Sequence, residues 1–254
     1  MPNMKKKIKK VNAAILIIGN EILSGRTQDK NISFISQWLN AKCGISVNEV
    51  RIIPDDEKKI IENILILSKK FNYVFTTGGI GPTHDDITAQ SISKAFKVKY
   101  EYHKEAYAIL EKYYGKKKFN DGRKKMAKMP QGASLIYNPA SGAPGFIVKN
   151  VFCLPGVPSI LKSMVYGLSN KIIGGKKILS KTISVRTVES EIAKSLAGIQ
   201  NKFKDVEIGS YPFFRLGKIG VSIVIRSTSK KQIDYCHKQI VSFLKKKEIS
   251  IIER

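Results

Sequence analysis

The first two thirds of the chain alternate between short apolar runs and segments with helical periodicity. Residues 73–77 are a run of apolar, β-branched and aromatic residues typical of a strand buried in a parallel sheet, and residues 13–18 and 45–53 are predicted to be further strands. Between them, apolar residues recur every three or four positions, as they do in residues 60–67. We therefore predict an α/β fold with three layers, α/β/α, around a mostly parallel sheet.

The last third has a different pattern and predicts a second, smaller α+β domain. Two consecutive glycines, Gly174 and Gly175, mark a linker before it. We place the larger domain at residues 11–170 and the smaller at 176–254. The small domain is predicted to run strand, helix, strand, strand, helix, at residues 178–187, 188–203, 205–214, 219–227 and 230–244.

Residues 73–96 combine a strand, a glycine loop and a predicted helix. Gly78, Gly79 and Gly81 leave main-chain N–H groups unshielded, so an anion such as phosphate can approach them closely. The helix is expected to begin in residues 82–86, with its positive end directed at the same anion. The loop matches neither the dinucleotide pattern GxGxxG nor the P-loop, because no Lys-Ser/Thr pair follows the last glycine.

Two adjacent carboxylates, Asp85 and Asp86, follow this loop. Carboxylates this close to a phosphate repel it unless a divalent cation or a shared proton lies between them. Hard oxygen ligands together with phosphate suit Mg²⁺, so we infer a site where a metal bridges protein and phosphate. The alternative is that both aspartates only cap the helix.

Glu21 stands just beyond the carboxyl end of the first predicted strand, where open α/β sheets hold their ligands. It is a candidate for contact with a metal, a ribose or a base, and the alternative is an exposed loop glutamate. Small-residue loops also occur at residues 140–146 and 155–158. We predict that the loops at Gly19, at Gly78 and in residues 141–158 converge on one crevice.

The chain is strongly basic, with a formal net charge of +25. Of its 45 basic residues, seven are Arg and 38 are Lys, whereas proteins that read bases favour the arginine fork. We therefore do not expect nucleic acid as the main partner, although a non-enzymatic nucleic-acid-binding protein is kept as an alternative. The basic residues 116–128 form either a solvated face or a field that steers an anionic substrate.

Three further sequence features limit the possible functions and the cellular location of the protein. The GxxG sequence at residues 217–220 is interpreted as a hairpin turn, with an RNA-binding loop as the alternative. The basic segment 5–10 before the first strand resembles a signal peptide, but the apolar run behind it is short. Three cysteines without CxxC spacing favour a reducing compartment, so we expect a cytoplasmic protein without membrane spans, a zinc site or disulfides.

Four motifs give the chain a resemblance to a known family. They are GNEILSG from Gly19, TTGGIGPTHDDIT from Thr76, NPASGAPGF from Asn138 and LPGVP from Leu154. In this order they resemble the MoaB/Mog molybdopterin-binding family, and in particular the N-terminal region of CinA-type proteins. The amidase domain that usually follows in CinA-type chains has no counterpart here, so deamidation of nicotinamide mononucleotide is not expected.

The resemblance implies a MoaB/Mog-like fold that often assembles into homo-oligomers, here a dimer or trimer. In the Mog-like branch it implies transfer of an adenylyl group to molybdopterin. In the CinA-like branch it implies metal-dependent hydrolysis of nucleotide pyrophosphates such as ADP-ribose or FAD. The first loop here has the CinA-like form GNE, so we favour hydrolysis by a nucleotide pyrophosphatase, with a molybdopterin-binding or adenylyl-transferring protein as the alternative.

The resemblance also assigns residues. The functional aspartate of the glycine motif falls on Asp86, while Asp85 stands where Mog-like chains often have a basic residue. We expect Asp86, Asp85 and Glu21 to be catalytic, with Asp86 and Glu21 holding Mg²⁺, or Co²⁺ or Mn²⁺ in its place. The ligand is a nucleotide or pterin phosphate, and the expected phosphate-binding residues are Gly19, Asn20, Thr77, Gly78, Gly79, Gly81, Ser141, Gly142, Pro155 and Gly156.

Overall fold

The structure is a computed structural model that describes residues 11–215 and 217–252, so the basic segment 5–10 lies outside the described residues. The chain divides into two compact units, one ending at Gly175 and the other beginning at Lys176. The strands are β1 Asn12–Ile18, β2 Ser46–Ile53, β3 Tyr73–Thr77, β4 Tyr100–Tyr102, β5 Lys128–Pro130, β6 Ser134–Ile136, β7 Gly145–Val148, β8 Val151–Leu154, β9 Leu179–Val185, β10 Glu207–Arg215, β11 Lys218–Ser227 and β12 Ile251–Ile252. The helices are α1 Asn20–Leu23, α2 Asn31–Trp38, α3 Glu57–Lys70, α4 Thr88–Phe96, α5 Lys104–Tyr114, α6 Asp121–Lys125, α7 Pro158–Val165, α8 Glu189–Lys202 and α9 Lys230–Lys246.

The larger unit is built on a six-stranded sheet in the order β2-β1-β3-β8-β7-β6. The first four strands in this order pair in parallel, whereas β7 and β6 are antiparallel to their neighbours. The prediction of a mostly parallel sheet is therefore confirmed. Because β1, β3 and β8 lie side by side, the loops that follow them leave the same edge of the sheet.

Helices cover both faces of this sheet, as the alternation of strands and helices predicts. On one face, Leu16 of β1 belongs to a core formed with α3, α4 and α5. On the other, Ile15 packs in a second core with α2 and α7 that includes Trp38, the single tryptophan of the chain. Consecutive residues of β1 thus enter different cores, which explains why this strand is apolar on both sides.

One boundary next to the glycine loop differs from the prediction. Helix α4 begins at Thr88, and residues 82–86 form a turn before it. The Asp86 carboxylate accepts the Thr83 N–H at 2.8 Å and thereby closes this turn. Thr88 then ties the helix to the loop, since its N–H donates to Gly79 O at 2.9 Å and its hydroxyl to Gly78 O at 3.0 Å. The expected helix start in residues 82–86 is therefore wrong, and so is the alternative in which both aspartates cap this helix.

The lysine-rich residues 116–128 are more ordered than their weak periodicity indicates. A short 3₁₀ turn at Lys116–Lys118 is followed by α6, whose first turn is capped by Asn120 through a 3.1 Å bond to the Arg123 N–H. Strand β5 follows and pairs with β4. This arrangement brings α6 close to the glycine loop, because Lys125 donates a hydrogen bond to the Thr83 carbonyl oxygen.

The smaller unit has an antiparallel sheet in the order β10-β11-β9-β12, with α8 and α9 packed on its apolar core. Its strands and helices follow the predicted order, with β12 as an addition. Strands β10 and β11 pair up to Arg215 and Lys218, so the GxxG sequence belongs to a β-hairpin. The interpretation as a hairpin turn is confirmed.

No helix within residues 11–215 and 217–252 combines the length and hydropathy of a membrane-crossing segment.

Gly78 lies in close contact with the ends of two neighbouring strands, β1 and β8. It directly follows β3, has φ +99°, and donates its N–H to Leu154 O of β8 at 3.1 Å. A Cβ atom added there would lie 2.1 Å from the carbonyl oxygen of Ile18, at the end of β1. A side chain at this position is excluded by both the backbone conformation and the neighbouring strand.

The close contact at Gly78 predicts a difference between two glycine substitutions. Gly25 has a similar positive φ of +72°, but no heavy atom lies within 4 Å of an added Cβ. We expect Gly25→Ala to lower the free energy of unfolding by about 1–2 kcal/mol, the cost of a left-handed conformation. Gly78→Ala should cost at least about 2 kcal/mol more, since main-chain atoms must also move.

Urea unfolding followed by Trp38 fluorescence measures this difference, because Trp38 reports on the larger unit alone. Equal losses of stability in Gly78→Ala and Gly25→Ala would contradict the close packing of the three strand ends.

Candidate functional site

The candidate site lies at the carboxyl ends of β1, β3 and β8, where three loops meet at Gly78. Gly19 follows β1 and donates its N–H to Ile53 O of β2 at 3.1 Å. Gly156 lies in the loop after β8, and a Cβ added to it would lie 3.6 Å from the Cα of Gly78. Pro155 in the same loop is half-buried, and Thr77 before Gly78 is buried. The loops after β1, β3 and β8 are thus brought together by strand order.

The loop between β6 and β7 reaches the same edge of the sheet, because β7 runs antiparallel to β8. Asn138 organises this loop by accepting the N–H groups of Ala140 and Ser141 at 3.0 and 3.1 Å. A Cβ added to Gly142 would lie 2.7 Å from the ring of Tyr113, so this glycine packs on α5. Gly142 therefore contacts α5 and Ser141 is held by Asn138, whereas Pro144 and Phe146 at the start of β7 lie beside the glycine loop.

The glycine loop forms a wall of a depression at this edge. Among the described residues, no acceptor is found for the N–H groups of Gly79, Ile80 and Gly81. Unpaired N–H groups in such a loop are the groups that bind phosphate oxygens in anion sites. The residues that line the depression are Gly79, Ile80, Gly81, Asp86, Ala89, Tyr100, Lys125, Met126, Lys128, Pro144 and Phe146.

Asp86 lies against the glycine loop. Its Oδ2 atom accepts the Thr83 N–H at 2.8 Å and also the Thr83 hydroxyl. A Cβ added to Gly81 would lie 2.6 Å from the same oxygen. The carboxylate is therefore held beside the free N–H groups of the loop by its own turn, and Oδ1 is the oxygen left for a ligand.

Asp85 is exposed on the same turn. The Thr83 hydroxyl, whose single proton can be donated to either Asp85 or Asp86, and the Asp85 main-chain N–H are the main reasons why the pKa of the Asp85 carboxyl lies below its ordinary value. The charges of His84 and Lys125 lower this pKa further. Asp85 is consequently ionised at neutral pH, as a group that orients water or a cation must be.

Glu21 lies in the short helix α1, directly after β1, and its carboxylate folds back over Gly19. Either carboxylate oxygen would lie 2.7 Å from a Cβ added to Gly19. The side chain is exposed, as the loop-glutamate alternative also predicts. Next to it, the Asn20 N–H donates to Asp55 Oδ2 at 2.9 Å, which connects this loop to the end of β2.

Asp55, in the turn before α3, is a further residue of this site, and none of the sequence motifs above includes it. The cap of that helix is Asp56, which accepts the Lys59 N–H at 2.9 Å. Burial raises the pKa of Asp55, and the negative charges of Glu21, Asp85 and Asp86 raise it further. The negative charges of three carboxylates on two other loops therefore act on Asp55. Its position just beyond β2 was the available indication.

Asn31, the first residue of α2, connects this helix to the candidate site. Asp29, just before α2, accepts the Ile32 N–H of its first turn at 2.8 Å. The buried Asn31 side chain donates to Gly156 O at 2.8 Å and fixes the loop after β8. Its Oδ1 atom is buried and has no hydrogen-bond partner among the described residues.

Comparison with known families agrees with this architecture. A family model described as a probable molybdopterin binding domain matches residues 14–174. The chain belongs to this family. A second model, the middle domain of FAD synthase, matches residues 177–253, so the two compact units of this family member correspond to two different models.

Relatives place the chain among the CinA-like members of the molybdopterin-binding domain family. A Pyrococcus abyssi protein is 32% identical over 96% of this chain and 99% of its own length. A CinA-like protein from Sulfurihydrogenibium is 35% identical over 80% of this chain, which spans about half of that protein, 52%. The crystal structure of the protein CinA, with unknown function, from Thermoplasma acidophilum matches with a TM-score of 0.60 and 31% identity, covering 64% of this chain and 99% of that one.

Because burial and neighbouring negative charges disfavour the ionised form of Asp55, we predict that Asp55→Asn stabilises the protein at neutral pH. The pKa of Asp55 is higher in the folded than in the unfolded chain, so wild-type stability falls as pH rises through the folded pKa. The asparagine has no charge to lose, and its Oδ1 still accepts the Asn20 N–H. We expect a higher Tm than wild type at pH 7 and no difference below about pH 4.

Thermal unfolding of the larger unit between pH 3.5 and 8 measures this effect. The matched control is Asp56→Asn, which removes a neighbouring charge and keeps a capping oxygen. If the Tm of Asp55→Asn followed that of the control at every pH, the proposed destabilisation of the ionised Asp55 would be contradicted.

Proposed function

We propose that the larger unit hydrolyses a nucleotide pyrophosphate with the help of a divalent metal ion. The observation that carries this proposal is the side-by-side position of the free N–H groups of Gly79 to Gly81 and the Asp86 carboxylate. The N–H groups suit a phosphate and the carboxylate suits a cation, and a metal–diphosphate complex has both. The match to the FAD synthase middle domain supports FAD as a test substrate, beside ADP-ribose.

The donor set fits a metal ion that arrives with the substrate. In the described part of the chain, no three His, Cys, Asp or Glu side chains stand close enough together to form a metal cage. Mg²⁺ needs no such cage, since it keeps several waters and is bound through one or two carboxylates plus substrate phosphates. Asp86 and Glu21 would hold it, with Co²⁺ or Mn²⁺ as substitutes. When bound, the ion supplies positive charge to the phosphate oxygens.

The side chains and main chain of this site have separate roles in the proposed reaction. The N–H groups of the glycine loop bind the departing phosphate and stabilise the charge that develops on it. Asp85, ionised at neutral pH, orients the attacking water together with Glu21. The water oxygen forms a new bond to phosphorus, the anhydride P–O bond breaks, and the water proton passes to solvent.

Binding of a pterin phosphate without hydrolysis is the second candidate. The match of residues 14–174 to a probable molybdopterin binding domain favours it. The same glycine loop would then hold the pterin's phosphate. Pterin fluorescence that co-purifies with the protein, without turnover of dinucleotides, would support this candidate over hydrolysis.

The hydrolase proposal predicts a large effect of Asp86→Asn. The amide oxygen can still accept the Thr83 N–H, so the turn is kept while the negative charge is lost. We expect turnover of ADP-ribose or FAD with Mg²⁺ or Co²⁺ to fall about 100-fold or more. The measurement is the rate at which the purified protein releases the nucleoside monophosphate AMP from ADP-ribose or FAD.

Asp121→Asn is the matched control, because Asp121 is an exposed carboxylate paired with Lys124 at 3.1 Å. Its turnover should equal that of wild type. If Asp86→Asn retained wild-type turnover, the assignment of this residue would be wrong.

A further inference from the structure

Lys125 places a positive charge beside the glycine loop. It is the last residue of α6, and its ammonium group donates a hydrogen bond to the Thr83 carbonyl oxygen. Thr83 belongs to the turn that holds Asp86, and Lys125 lines the same depression as Gly79 and Gly81. The helix therefore contributes a cation to the depression that Gly79, Ile80 and Gly81 also line.

The basic neighbours of Lys125 are engaged elsewhere. Lys124 pairs with Asp121 at 3.1 Å, and the Arg123 guanidinium lies 4.1 Å from the centre of the Tyr114 ring. Lys128 also borders the depression, but its ammonium group lies 4.7 Å from the centre of the Tyr102 ring. Of Arg123, Lys124, Lys125 and Lys128, it is thus Lys125 whose side chain is hydrogen-bonded to the turn that follows the glycine loop.

The partner of Lys125 is a neutral carbonyl oxygen, although Asp85 lies near enough for the lysine charge to lower its pKa. Within the described residues, Lys125 forms no ion pair shorter than 4.0 Å. A hydrogen bond between a cation and a phosphate is roughly twice as strong as one between neutral groups. Its flexible four-carbon stem lets the ammonium turn from the carbonyl oxygen to an arriving phosphate.

We propose that Lys125 binds the second phosphoryl group of a diphosphate whose first group lies on the N–H groups of Gly79 to Gly81. This rests on the proposed function, since it assigns the substrate class of the same site. Two separate sources of positive potential, the loop and α6, favour a diphosphate over a monophosphate. Lys125 is a substrate-binding residue, and the chemical step needs no proton from it.

Inorganic pyrophosphate and inorganic phosphate, each with Mg²⁺, are the probes that test this assignment without hydrolysis. Titration calorimetry on the full chain should show tighter binding of pyrophosphate than of phosphate. Lys125→Met keeps the apolar stem and should weaken pyrophosphate binding about 10-fold or more, the loss expected for one hydrogen bond to a charged group. Phosphate binding should change less, and the salt dependence of pyrophosphate binding should become shallower.

Two variants control for effects of folding and of net charge. Lys124→Met removes the adjacent charge and should bind pyrophosphate as wild type does. Lys125→Arg keeps the charge and should retain binding to within about threefold. Thermal unfolding of each variant without ligand shows whether the turn at Thr83 is intact.

The outcomes separate this inference from the proposed function. Loss of pyrophosphate binding in Lys125→Met, in a protein that hydrolyses no dinucleotide, would support the inference and reject hydrolysis. Turnover that depends on Asp86, with wild-type pyrophosphate affinity in Lys125→Met, would support hydrolysis and overturn the inference. Wild-type protein that binds pyrophosphate no better than phosphate would overturn it as well.

Discussion

The structure of the larger unit depends on the close approach of main chain to main chain at Gly78. This glycine lies against the end of β1 and bonds to the end of β8, so three strand ends and their loops meet around one residue without a side chain. A side chain there would push the strands apart. The same bare main chain leaves the following N–H groups open to an anion, which is why the packing constraint and the candidate site coincide.

The site also concentrates negative charge from several carboxylates. The chain as a whole is strongly positive, at +25, yet Glu21, Asp55, Asp85 and Asp86 lie close enough for three of them to raise the pKa of the fourth. Such an arrangement lowers stability unless something positive joins it. Lys125 supplies one charge from α6, and a divalent cation carried by a diphosphate would supply two more. A cation bound among these carboxylates would reduce the repulsion on Asp55.

Much of this was predictable from sequence, and what was missed has a common cause. The strands of the parallel sheet could be identified because residues such as Leu16 and Ile17 are buried on opposite faces, which produces continuous apolar runs. Asp86 and Gly78 stood out because motif and resemblance agreed. The start of α4 was misplaced because the bond between Thr83 and Asp86 closes a turn that mimics a helix start. Asp55 was missed because the carboxylates that raise its pKa lie on other loops, which strand order brings close to it. No local sequence pattern encodes that proximity.

Amide hydrogen exchange tests the central claim most directly. The protein would be measured with Mg²⁺, with and without a methylene-bridged, non-hydrolysable analogue of ADP-ribose. If one site is formed by the loops that meet at Gly78, peptides covering residues 19–24, 78–86 and 155–158 should exchange more slowly together with the analogue, and residues 176–252 should be unchanged. Protection confined to residues 116–128 or to the smaller unit would contradict the account.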